Sequence, residues 1–270
     1  MIQILICTYD SGVRNVPNIL LPPAEGIAYV VSMQYSEPCY LDQVPEVIKK
    51  REDVVFSAIA GRGLSANRNN AIAIATADIC VLADDDVRYS LNDLQRIEAE
   101  HAEHPEADVL LFQAKGPAAN LLKDYPLHSF NYHNCPKGYS PMSIEITFKR
   151  ERVKGIPFDL RFGIGSDLFV CGEEEVWLNT LHRKFGKTIL YIPFPIVQTV
   201  TLPQGGCGFA TNPKVQRAKG AVLYYIYGLS AWLRCLKESV VVAHRVKEAR
   251  LATLLTNTAR GIISIMKTGR

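Results

Sequence analysis

The sequence contains no pair of cysteines at the spacing of a redox or metal motif. Its seven cysteines are scattered through 270 residues, and none stands three positions from another. Several lie inside apolar runs, where a thiol behaves as a small hydrophobic group. This usage favours a reducing compartment.

A membrane-crossing segment is also missing from the sequence. The apolar stretch Met1–Cys7 has no basic leader and no small-residue cleavage site, so we interpret it as a first strand. The uncharged run Gly220–Leu233 has 14 residues, fewer than the about 20 that a bilayer-spanning helix needs. We therefore expect a cytoplasmic protein.

Composition excludes disordered and fibrous classes, because 48% of the residues are hydrophobic and only 21% are charged. The formal net charge of +3 hides an asymmetry. Residues 214–270 hold 11 Lys and Arg against 2 Asp and Glu, which leaves 19 against 25 for residues 1–213. An acidic body thus carries a basic C-terminal segment.

The first half of the chain alternates short apolar runs with polar or helical stretches, which is typical of a mostly parallel sheet covered by helices. Ser65 predicts the cap of a helix that runs to about Ala77. Ser90 with Asp93 predicts a second capped helix, through His104. The predicted strands are Ile2–Cys7, Ala28–Met33, Val54–Ile59 and Ile79–Ala83.

Residues 117–141 form a predicted long loop, since Asn, His, Tyr and Pro are frequent there and hydrophobic periodicity is weak. Gly205–Gly208 has the composition of a linker or lid, and the chain beyond Pro213 has a helical, basic pattern. We divide the chain into a domain of residues 1–205 and a basic helical extension of residues 206–270. Between the loop and the linker we predict a strand at Ile144–Phe148, a helix from Glu173 to about Phe185 and a strand at Thr188–Ile192.

Three consecutive carboxylates, Asp84–Asp86, follow the buried run Ile79–Ala83. Ligands of open α/β sheets bind at the carboxyl ends of strands, and Mg²⁺ or Mn²⁺ would neutralise this cluster while recruiting the oxygens of a diphosphate. Alternation along an extended chain turns Asp84 and Asp86 the same way, so we assign these two to the metal. The alternative is a solvated turn that caps the next helix.

Arg68 lies in the first turn of the helix that follows the Gly61–Gly63 turn. Helix N-termini attract anions, and a guanidinium there can contact a phosphate or a base edge. The alternative is a surface arginine or a partner for a nearby aspartate.

Two segments here resemble the family 2 glycosyltransferases of the GT-A fold. Ser65–Ile72 is similar to the family's Ser-x-Ala-Arg-Asn-x-Gly-Ile helix, and Ala77–Val87 to its Gly-Asp-hydrophobic strand that ends in the metal-binding Asp-x-Asp motif. The resemblance implies a Rossmann-like α/β fold with a mostly parallel central sheet flanked by helices. It also implies that Asp84 and Asp85 contact a nucleotide-sugar, with Asp86 and Asp84 at the metal.

The resemblance continues downstream. Gly155–Gly163 is similar to the family's Gly-x-Phe-Asp-Glu-x-Phe segment. Gly172–Leu178, followed by Phe185–Pro193, looks like its Gly-Glu-Asp motif, the helix after it and the Gly-x-Lys-Ile-x-Tyr-x-Pro strand. In this register Glu174 takes the place of the catalytic base, with Glu173 and Trp177 on the acceptor side. The alternative is structural, because acidic residues in the first turn favour a helix dipole.

The first strand ends in Thr8, Tyr9 and Asp10, close to the family's Pro-Thr-Tyr-Asn, whose side chains approach the nucleotide. A strand-end Asx turn is the alternative. The second strand departs from the pattern, because Val31–Ser36 stands where the family usually shows Val-Asp-Asp-Gly-Ser. Gln34 is then the side chain that can hydrogen-bond a base.

Histidines are a second departure. Many relatives carry one after the last sheet strand, near the metal or the diphosphate, but Pro195–Val200 contains none. His133 in the long loop is a candidate contact for an acceptor sugar, and simple solvation is the alternative.

Residues 214–270 place apolar side chains at helical spacing among basic ones. Such a stripe is usually core, but a basic surface helix lying on the anionic inner face of the plasma membrane is the rival interpretation. Nucleic acid is not an expected partner, since no recognition motif accompanies the charge. The stripe comprises Ala221, Val222, Tyr225, Ile226, Leu229, Leu233 and Leu236.

These features predict an inverting glycosyltransferase. It would move a hexosyl or N-acetylhexosaminyl group from a nucleotide-sugar to a saccharide or lipid-linked acceptor, in building a surface polysaccharide. Two alternatives stay open. One is a non-catalytic sugar-nucleotide-binding or scaffold protein of the same fold. The other is a sugar-1-phosphate nucleotidyltransferase, for which Asp10–Arg14 is a poor phosphate loop.

Overall fold

A computed structural model describes residues 1–202 and 208–269 of the chain. Two compact units are present, and the segment 159–179, which the sequence assigned to the first domain, groups with the second. The predicted boundary between residues 205 and 206 lies outside the described residues, as does most of the predicted linker Gly205–Gly208. Unit 1 comprises Met1–Phe158 and Thr180–Leu202, and unit 2 comprises Asp159–Asn179 and Pro203–Arg270.

Unit 1 is built on a nine-stranded sheet with short and medium-length helices. Its strands are β1 (Ile2–Tyr9), β2 (Ile27–Tyr35), β3 (Val54–Ala60), β4 (Ile79–Asp84), β5 (Val87–Arg88), β6 (Val109–Lys115), β7 (Phe130–Asn131), β8 (Ile146–Lys149) and β9 (Ile189–Thr199). Its helices are α1 (Glu46–Lys50), α2 (Leu64–Ile74), α3 (Leu91–Glu103) and α4 (Arg150–Val153), and the helix α5 (Glu173–Phe185) begins in unit 2 and ends in unit 1.

The strand order is β3, β2, β1, β4, β8, β6, β9 and β5, with β7 also paired to β9. Strands β3, β2, β1 and β4 run parallel to one another, and β6 runs parallel to β9. Strand β8 is antiparallel to both β4 and β6, and β5 and β7 are antiparallel to β9. The α/β class is therefore confirmed.

The four strands predicted in the first half are confirmed, each within two residues of the predicted ends. Strand β1 is buried along all but its last residue, which is the pattern of a parallel strand covered on both faces. Strand β6 was not predicted, although Val109–Phe112 is a continuous apolar run that lies fully buried in the sheet.

Helix α3 has the predicted capping box. The Asp93 amide donates to the Ser90 hydroxyl at 3.2 Å, and the Ser90 amide donates to the Asp93 carboxylate at 2.8 Å. Two amides that the first helical turn would otherwise leave without partners are thus satisfied.

The predicted bounds of α2 are wrong at both ends. Gly63, at φ +125°, is the N-cap, and Ser65 lies inside the helix. At the other end the chain turns extended at Ala75, because the Gln3 side-chain oxygen accepts the amides of Thr76 at 2.8 Å and Ala77 at 3.3 Å. A buried side chain from β1 therefore ends the helix early, and no local sequence pattern indicates this end.

The strands predicted at Ile144–Phe148 and Thr188–Ile192 also needed correction. The first begins only at Ile146, because Ser143–Glu145 form a 3-10 turn. The second runs on through two prolines to Thr199. Pairing between β6 and β9 shifts register on either side of Gln113, which lies opposite Pro195, and such irregularities let a sheet tolerate prolines.

Unit 2 contains three long helices, α6 (Pro213–Tyr227), α7 (Ala231–Arg245) and α8 (Leu251–Thr268), together with the first half of α5. Arg161 holds the end of α8, since its Nη1 donates to the carbonyls of Thr268 at 3.1 Å and Gly269 at 2.7 Å, and Asp159 holds the guanidinium. The apolar cluster of this unit consists of Phe162, Phe169, Val176, Ala218, Ala221, Val222, Tyr225, Ile226 and Ile265.

The apolar stripe predicted in residues 214–270 divides between two environments. Ala221, Val222, Tyr225 and Ile226 are core, whereas Leu229, Leu233 and Leu236 are exposed. No helix in the described ranges is both long enough and apolar enough to span a membrane.

Candidate active site

The candidate donor site lies at the carboxyl ends of the parallel strands in unit 1. Strand pairing places Cys7 beside Asp84 across β1 and β4, and Tyr9 beside Gln34 across β1 and β2. Because parallel strands end at the same edge of a sheet, residues predicted from distant parts of the sequence meet there.

Asp85 is held by the end of β1. The Thr8 hydroxyl donates to the Asp85 carboxylate at 2.5 Å. Gly12 makes room for this contact, because a Cβ at that position would lie 2.1 Å from the Asp85 Oδ2 and 2.7 Å from the Thr8 hydroxyl. Burial raises the pKa of Asp85, the charges of Asp84 and Asp86 raise it further, and the Thr8 hydrogen bond opposes both.

Asp84 and Asp86 have different neighbours. The Arg68 guanidinium lies 3.6 Å from the Asp84 carboxylate, and the Ser143 hydroxyl lies 3.3 Å from it. Asp86 instead accepts a hydrogen bond from the Thr201 hydroxyl. Side chains do not alternate as in a strand across this cluster, because the chain leaves the extended conformation after Asp84 and residues 85–86 form a turn.

The donor chemistry of the cluster suits a hard cation, since carboxylate oxygens are the ligands that Mg²⁺ and Mn²⁺ prefer. Within residues 1–202 and 208–269, however, no three side chains of His, Cys, Asp or Glu gather as a ready-made metal site. Asp84 and Asp86 therefore fit a metal that takes its remaining ligands from phosphate oxygens and water. Their assignment as metal ligands stays a prediction.

Arg68 is 2% exposed and lies over the Phe158 ring, with its guanidinium 5.6 Å from the ring centre. Asn69 fixes this arrangement through paired hydrogen bonds with the Phe158 backbone, of 2.7 and 2.9 Å. A buried guanidinium keeps its charge, so Arg68 is a fixed cation beside Asp84. Arg68 is thus a partner of Asp84, and its contact with a phosphate or a base edge stays a prediction.

Asn67, which was not among the predicted site residues, holds the end of β1 in place. Its side-chain NH₂ donates to the Thr8 carbonyl at 2.9 Å, and its oxygen accepts from the Ser32 hydroxyl at 2.5 Å. Asn70 donates to the same Ser32 hydroxyl at 2.8 Å. Asparagine is an unfavourable residue inside helices, so three of them in the first turns of α2 were a usable signal of side-chain hydrogen bonding.

The other predicted nucleotide contacts lie at the same edge. The Asp10 carboxylate accepts hydrogen bonds from the backbone amide and the hydroxyl of Ser36, at 2.7 and 2.8 Å, and so joins the ends of β1 and β2. Asp10 adopts a φ of +47° in this turn. Tyr9 is exposed and Gln34 is buried.

The loop of residues 117–141 is anchored at its base by Glu145. This buried carboxylate accepts hydrogen bonds from the Tyr125 hydroxyl at 2.5 Å, the Lys123 ammonium at 3.0 Å and the Met142 amide at 3.0 Å. Burial raises the pKa of Glu145, and its contacts with Lys123 and Tyr125 oppose that shift. The same turn carries Ser143 to Asp84, which explains why β8 starts late.

His133 lies in this loop and is exposed, with its ring 6.0 Å from that of His182. No contact in the described part of the chain assigns it a role beyond that pairing, and its acceptor role stays a prediction.

The predicted base, Glu174, lies in the first turn of α5, in unit 2. Gly172 precedes this helix at φ +91°, and a Cβ there would lie 2.3 Å from the Val222 side chain, so a larger residue would displace the turn. Glu173 is buried, and Glu175 lies 3.7 Å from the Lys219 ammonium. The partly exposed Glu174 stands between these two neighbours in the sequence.

Trp177 is fully buried in the first half of α5. A side chain without exposed surface cannot contact a ligand in this conformation, so its burial argues against Trp177 as an acceptor contact. The Cys171 thiol, just before the helix, is neutral: burial and the charges of Glu173, Glu175 and Glu174 raise its pKa to about 12.

The chain matches a known protein-family model. The model described as glycosyl transferase family 2 matches residues 41–166. This range includes the Ser65–Ile72 and Ala77–Val87 segments and the Asp84–Asp86 cluster, but neither the end of β1 nor Glu174. No curated protein matches the sequence of the chain.

Solved structures of S. aureus TarS resemble this chain in fold. TarS 1–349 aligns with a TM-score of 0.60 at 13% identity, covering 100% of this chain and 92% of its own. TarS 1–349 with UDP-GlcNAc gives a TM-score of 0.56 at 15% identity, with coverages of 92% and 72%. A longer TarS structure gives 0.54 at 16% identity, and the match covers 88% of this chain but only 43% of that one. At these identities the likeness concerns the fold alone.

Proposed function

We propose that this chain, which has the GT-A fold and matches the glycosyl transferase family 2 model over residues 41–166, transfers a sugar from a nucleotide-sugar to an acceptor hydroxyl. The proposal extends to an inverting displacement, to a hexosyl or N-acetylhexosaminyl donor, and to a saccharide or lipid-linked acceptor in surface polysaccharide synthesis.

One observation carries the proposal: the Asp84–Asp86 cluster stands at the carboxyl edge of the parallel strands, beside Thr8 and within the family match. Repulsion within the cluster needs a cationic counterpart, and Arg68 supplies only one charge. A nucleoside diphosphate that brings a divalent cation fits this requirement. A solvated turn that only caps the next helix would not require a buried arginine or an Asn67–Thr8–Asp85 chain of hydrogen bonds.

On the donor side, the leaving diphosphate needs its developing charge neutralised. Arg68 supplies a fixed positive charge at the Asp84 end of the cluster. A divalent metal held by Asp84 and Asp86 would add Lewis-acid neutralisation of the diphosphate. Thr8, Tyr9, Asp10 and Gln34 are proposed to orient the nucleotide.

On the acceptor side, we assign Glu174 the role of general base. Its carboxylate would accept the proton of the acceptor hydroxyl while that oxygen bonds to the anomeric carbon. The bond from this carbon to the diphosphate oxygen breaks, its electron pair leaves with the diphosphate, and the configuration at the carbon is inverted. Glu173 is proposed to lie next to the acceptor, and His133 is a second candidate contact.

The nucleotide is proposed to be UDP. TarS 1–349 was solved with UDP and with UDP-GlcNAc, and this supports UDP-sugars as the first donors to test. Gln34 can offer an amide donor and acceptor to a uracil edge, where the usual family carboxylate is absent.

We expect Asp86→Asn to weaken nucleotide-sugar binding by at least about tenfold in the presence of Mn²⁺, because a charged acceptor is lost from the cluster. The side-chain oxygen of the substituted asparagine can still accept the Thr201 hydrogen bond, so the fold should be kept. Isothermal titration with a panel of UDP-, GDP- and dTDP-sugars measures the effect.

Asp78→Asn is the matched control, since this carboxylate is exposed and its ion pair with the N-terminus is long, at 3.6 Å. Wild-type protein that binds no nucleotide-sugar would overturn the proposal. Binding without any donor hydrolysis or transfer would favour the scaffold alternative. A requirement for a nucleoside triphosphate with a sugar phosphate would favour the nucleotidyltransferase.

We further propose that residues 214–270 contact an anionic membrane. Leu229 and Leu233 are 74% and 73% exposed, and with Trp232, Leu236 and Val240 they follow the spacing of one helical face along α7 and the turn before it. The same helix carries the cations Arg234, Lys237 and Arg245. An exposed apolar stripe with cations beside it is typical of helices that lie in a membrane interface.

Leu229→Ser with Leu233→Ser is expected to reduce binding to phosphatidylglycerol vesicles at least about tenfold, because each leucine withdrawn from the interface costs about 1.5–3 kcal/mol. Flotation of the full chain with vesicles measures this. The control is Leu127→Ser, which removes an 83% exposed leucine from unit 1. Equal binding of wild type and double variant, or wild-type binding that is the same on neutral vesicles, would contradict the proposal.

A further inference from the structure

A cavity of about 450 Å³ lies between α6 and α8 in unit 2. Its size falls within the about 300–1,000 Å³ that is usual for small-molecule sites. Helix α6 contributes Lys214 and Arg217, and the polar residues from α8 are Asn257, Arg260, Ser264 and Lys267.

The walls of this cavity are held at a fixed spacing by two glycines. A Cβ at Gly220 would lie 2.1 Å from the Thr258 carbonyl oxygen, and a Cβ at Gly261 would lie 1.9 Å from the Arg217 carbonyl oxygen. The backbones of α6 and α8 are therefore in direct contact beside the cavity. Backbone contact on both helices makes the cavity a built feature of the unit rather than a gap between mobile side chains.

The lining carries four positive charges and no negative one. None of Lys214, Arg217, Arg260 and Lys267 forms an ion pair with an acidic side chain in the part of the chain that the structure describes. The cavity also adjoins the first turn of α6, where the helix dipole adds partial positive charge. Cations that repel one another without an acidic partner favour an anionic ligand.

Arg217 is oriented before any ligand binds. Its Nη2 donates to the Ser264 hydroxyl at 2.9 Å, and its guanidinium lies 5.8 Å from the centre of the buried Phe169 ring. Its Nε atom is buried and has no hydrogen-bond partner among the described residues. The contacts with Ser264 and Phe169 therefore hold the guanidinium in place at the edge of the cavity.

We propose that this cavity binds the phosphate group of an organic phosphoester. A phosphate dianion can face several cations at once and can accept the parallel N–H donors of a guanidinium, whereas a carboxylate offers a single charge. The volume leaves room for part of the ester. This inference does not rest on the proposed sugar transfer, because none of the residues assigned to that reaction lines the cavity.

Calorimetric titration of the full chain with glycerol 3-phosphate, at constant ionic strength, tests the proposal. We expect saturable binding at one site, weakened about tenfold by Arg260→Gln with Lys267→Gln, because charge-assisted hydrogen bonds are lost. Both side chains are exposed, so the fold should be kept. Arg217→Lys keeps the charge but removes the planar guanidinium and its N–H donors, and we expect it to weaken binding as well.

The control is Lys49→Gln with Lys50→Gln, which also removes two positive charges, but from exposed positions on α1. We expect it to leave binding unchanged. A parallel arm uses vesicles of phosphatidylglycerol and phosphatidylcholine. If Arg260→Gln with Lys267→Gln weakens the binding of glycerol 3-phosphate, a soluble phosphoester is a sufficient ligand. If this double variant weakens binding only to phosphatidylglycerol vesicles, the ligand is a lipid headgroup. Binding that is unaffected in both arms, or reduced equally by the α1 control, overturns the proposal.

Discussion

Glu174→Gln is expected to lower the rate of sugar transfer by about 10²–10⁴-fold, the contribution typical of a general base, while donor affinity changes less than about twofold. Glutamine has the shape of glutamate and still accepts hydrogen bonds, but it cannot take up the proton of an acceptor hydroxyl at neutral pH. The measurement pairs initial rates of transfer from the donor that wild type accepts with calorimetric titration of that donor.

Glu175→Gln is the matched control, since it removes an equal charge from the same helical turn. Its carboxylate lies 3.7 Å from Lys219 and is the main reason that the pKa of Lys219 is raised. We expect it to affect stability and to leave most of the transfer rate. If both variants lost transfer equally, the acidic turn would matter through its charge at the helix start, and Glu174 would not be the base.

Gly261→Ala is expected to destabilise unit 2 by at least about 2 kcal/mol, although alanine is the better helix former by about 1 kcal/mol. The added Cβ would stand 1.9 Å from the Arg217 carbonyl oxygen, 2.9 Å from its carbon and 3.0 Å from the Ala221 amide nitrogen. These are backbone atoms, so α6 and α8 would have to move apart. The clash therefore outweighs the gain in helix propensity.

Urea unfolding followed by tryptophan fluorescence tests this prediction in unit 2 specifically. The chain has two tryptophans, Trp177 and Trp232, and both belong to that unit. Thr256→Ala introduces the same residue at an exposed position of α8 and should leave the midpoint unchanged or slightly higher. A midpoint that also rises for Gly261→Ala would show that the helices yield, and it would weaken the case for a rigid cavity beside them.

Local patterns predicted much of unit 1. The buried runs of the parallel strands are continuous because helices or loops cover both faces, and such runs can be read directly from residues such as Ile2–Cys7. The Ser90 and Asp93 pair was predicted because a capping box involves only neighbours in sequence. The Asp84–Asp86 cluster was found because it follows a recognisable buried strand.

Where contacts between residues distant in the sequence set the structure, the predicted element bounds were wrong. Helix α2 stops early because Gln3 accepts the amides of Thr76 and Ala77, and 73 residues separate Gln3 from Thr76. Strand β9 continues past its prolines because β5, β6 and β7 supply pairing at different points along its length. Asn67 was overlooked because its partners, Thr8 and Ser32, lie far away in the chain.

By itself the sequence determined the α/β class, most strand positions and the presence of the Asp84–Asp86 cluster directly after a buried strand, because each depends on short-range patterns of burial and charge. Only the tertiary structure decided which neighbour each carboxylate faces: Asp84 meets Arg68, Asp85 meets Thr8 and Asp86 meets Thr201. It also revealed the basic cavity between α6 and α8. The reason is physical, since hydrogen bonds and cavities form between side chains that the fold brings together, and no local periodicity encodes which chain segments will meet.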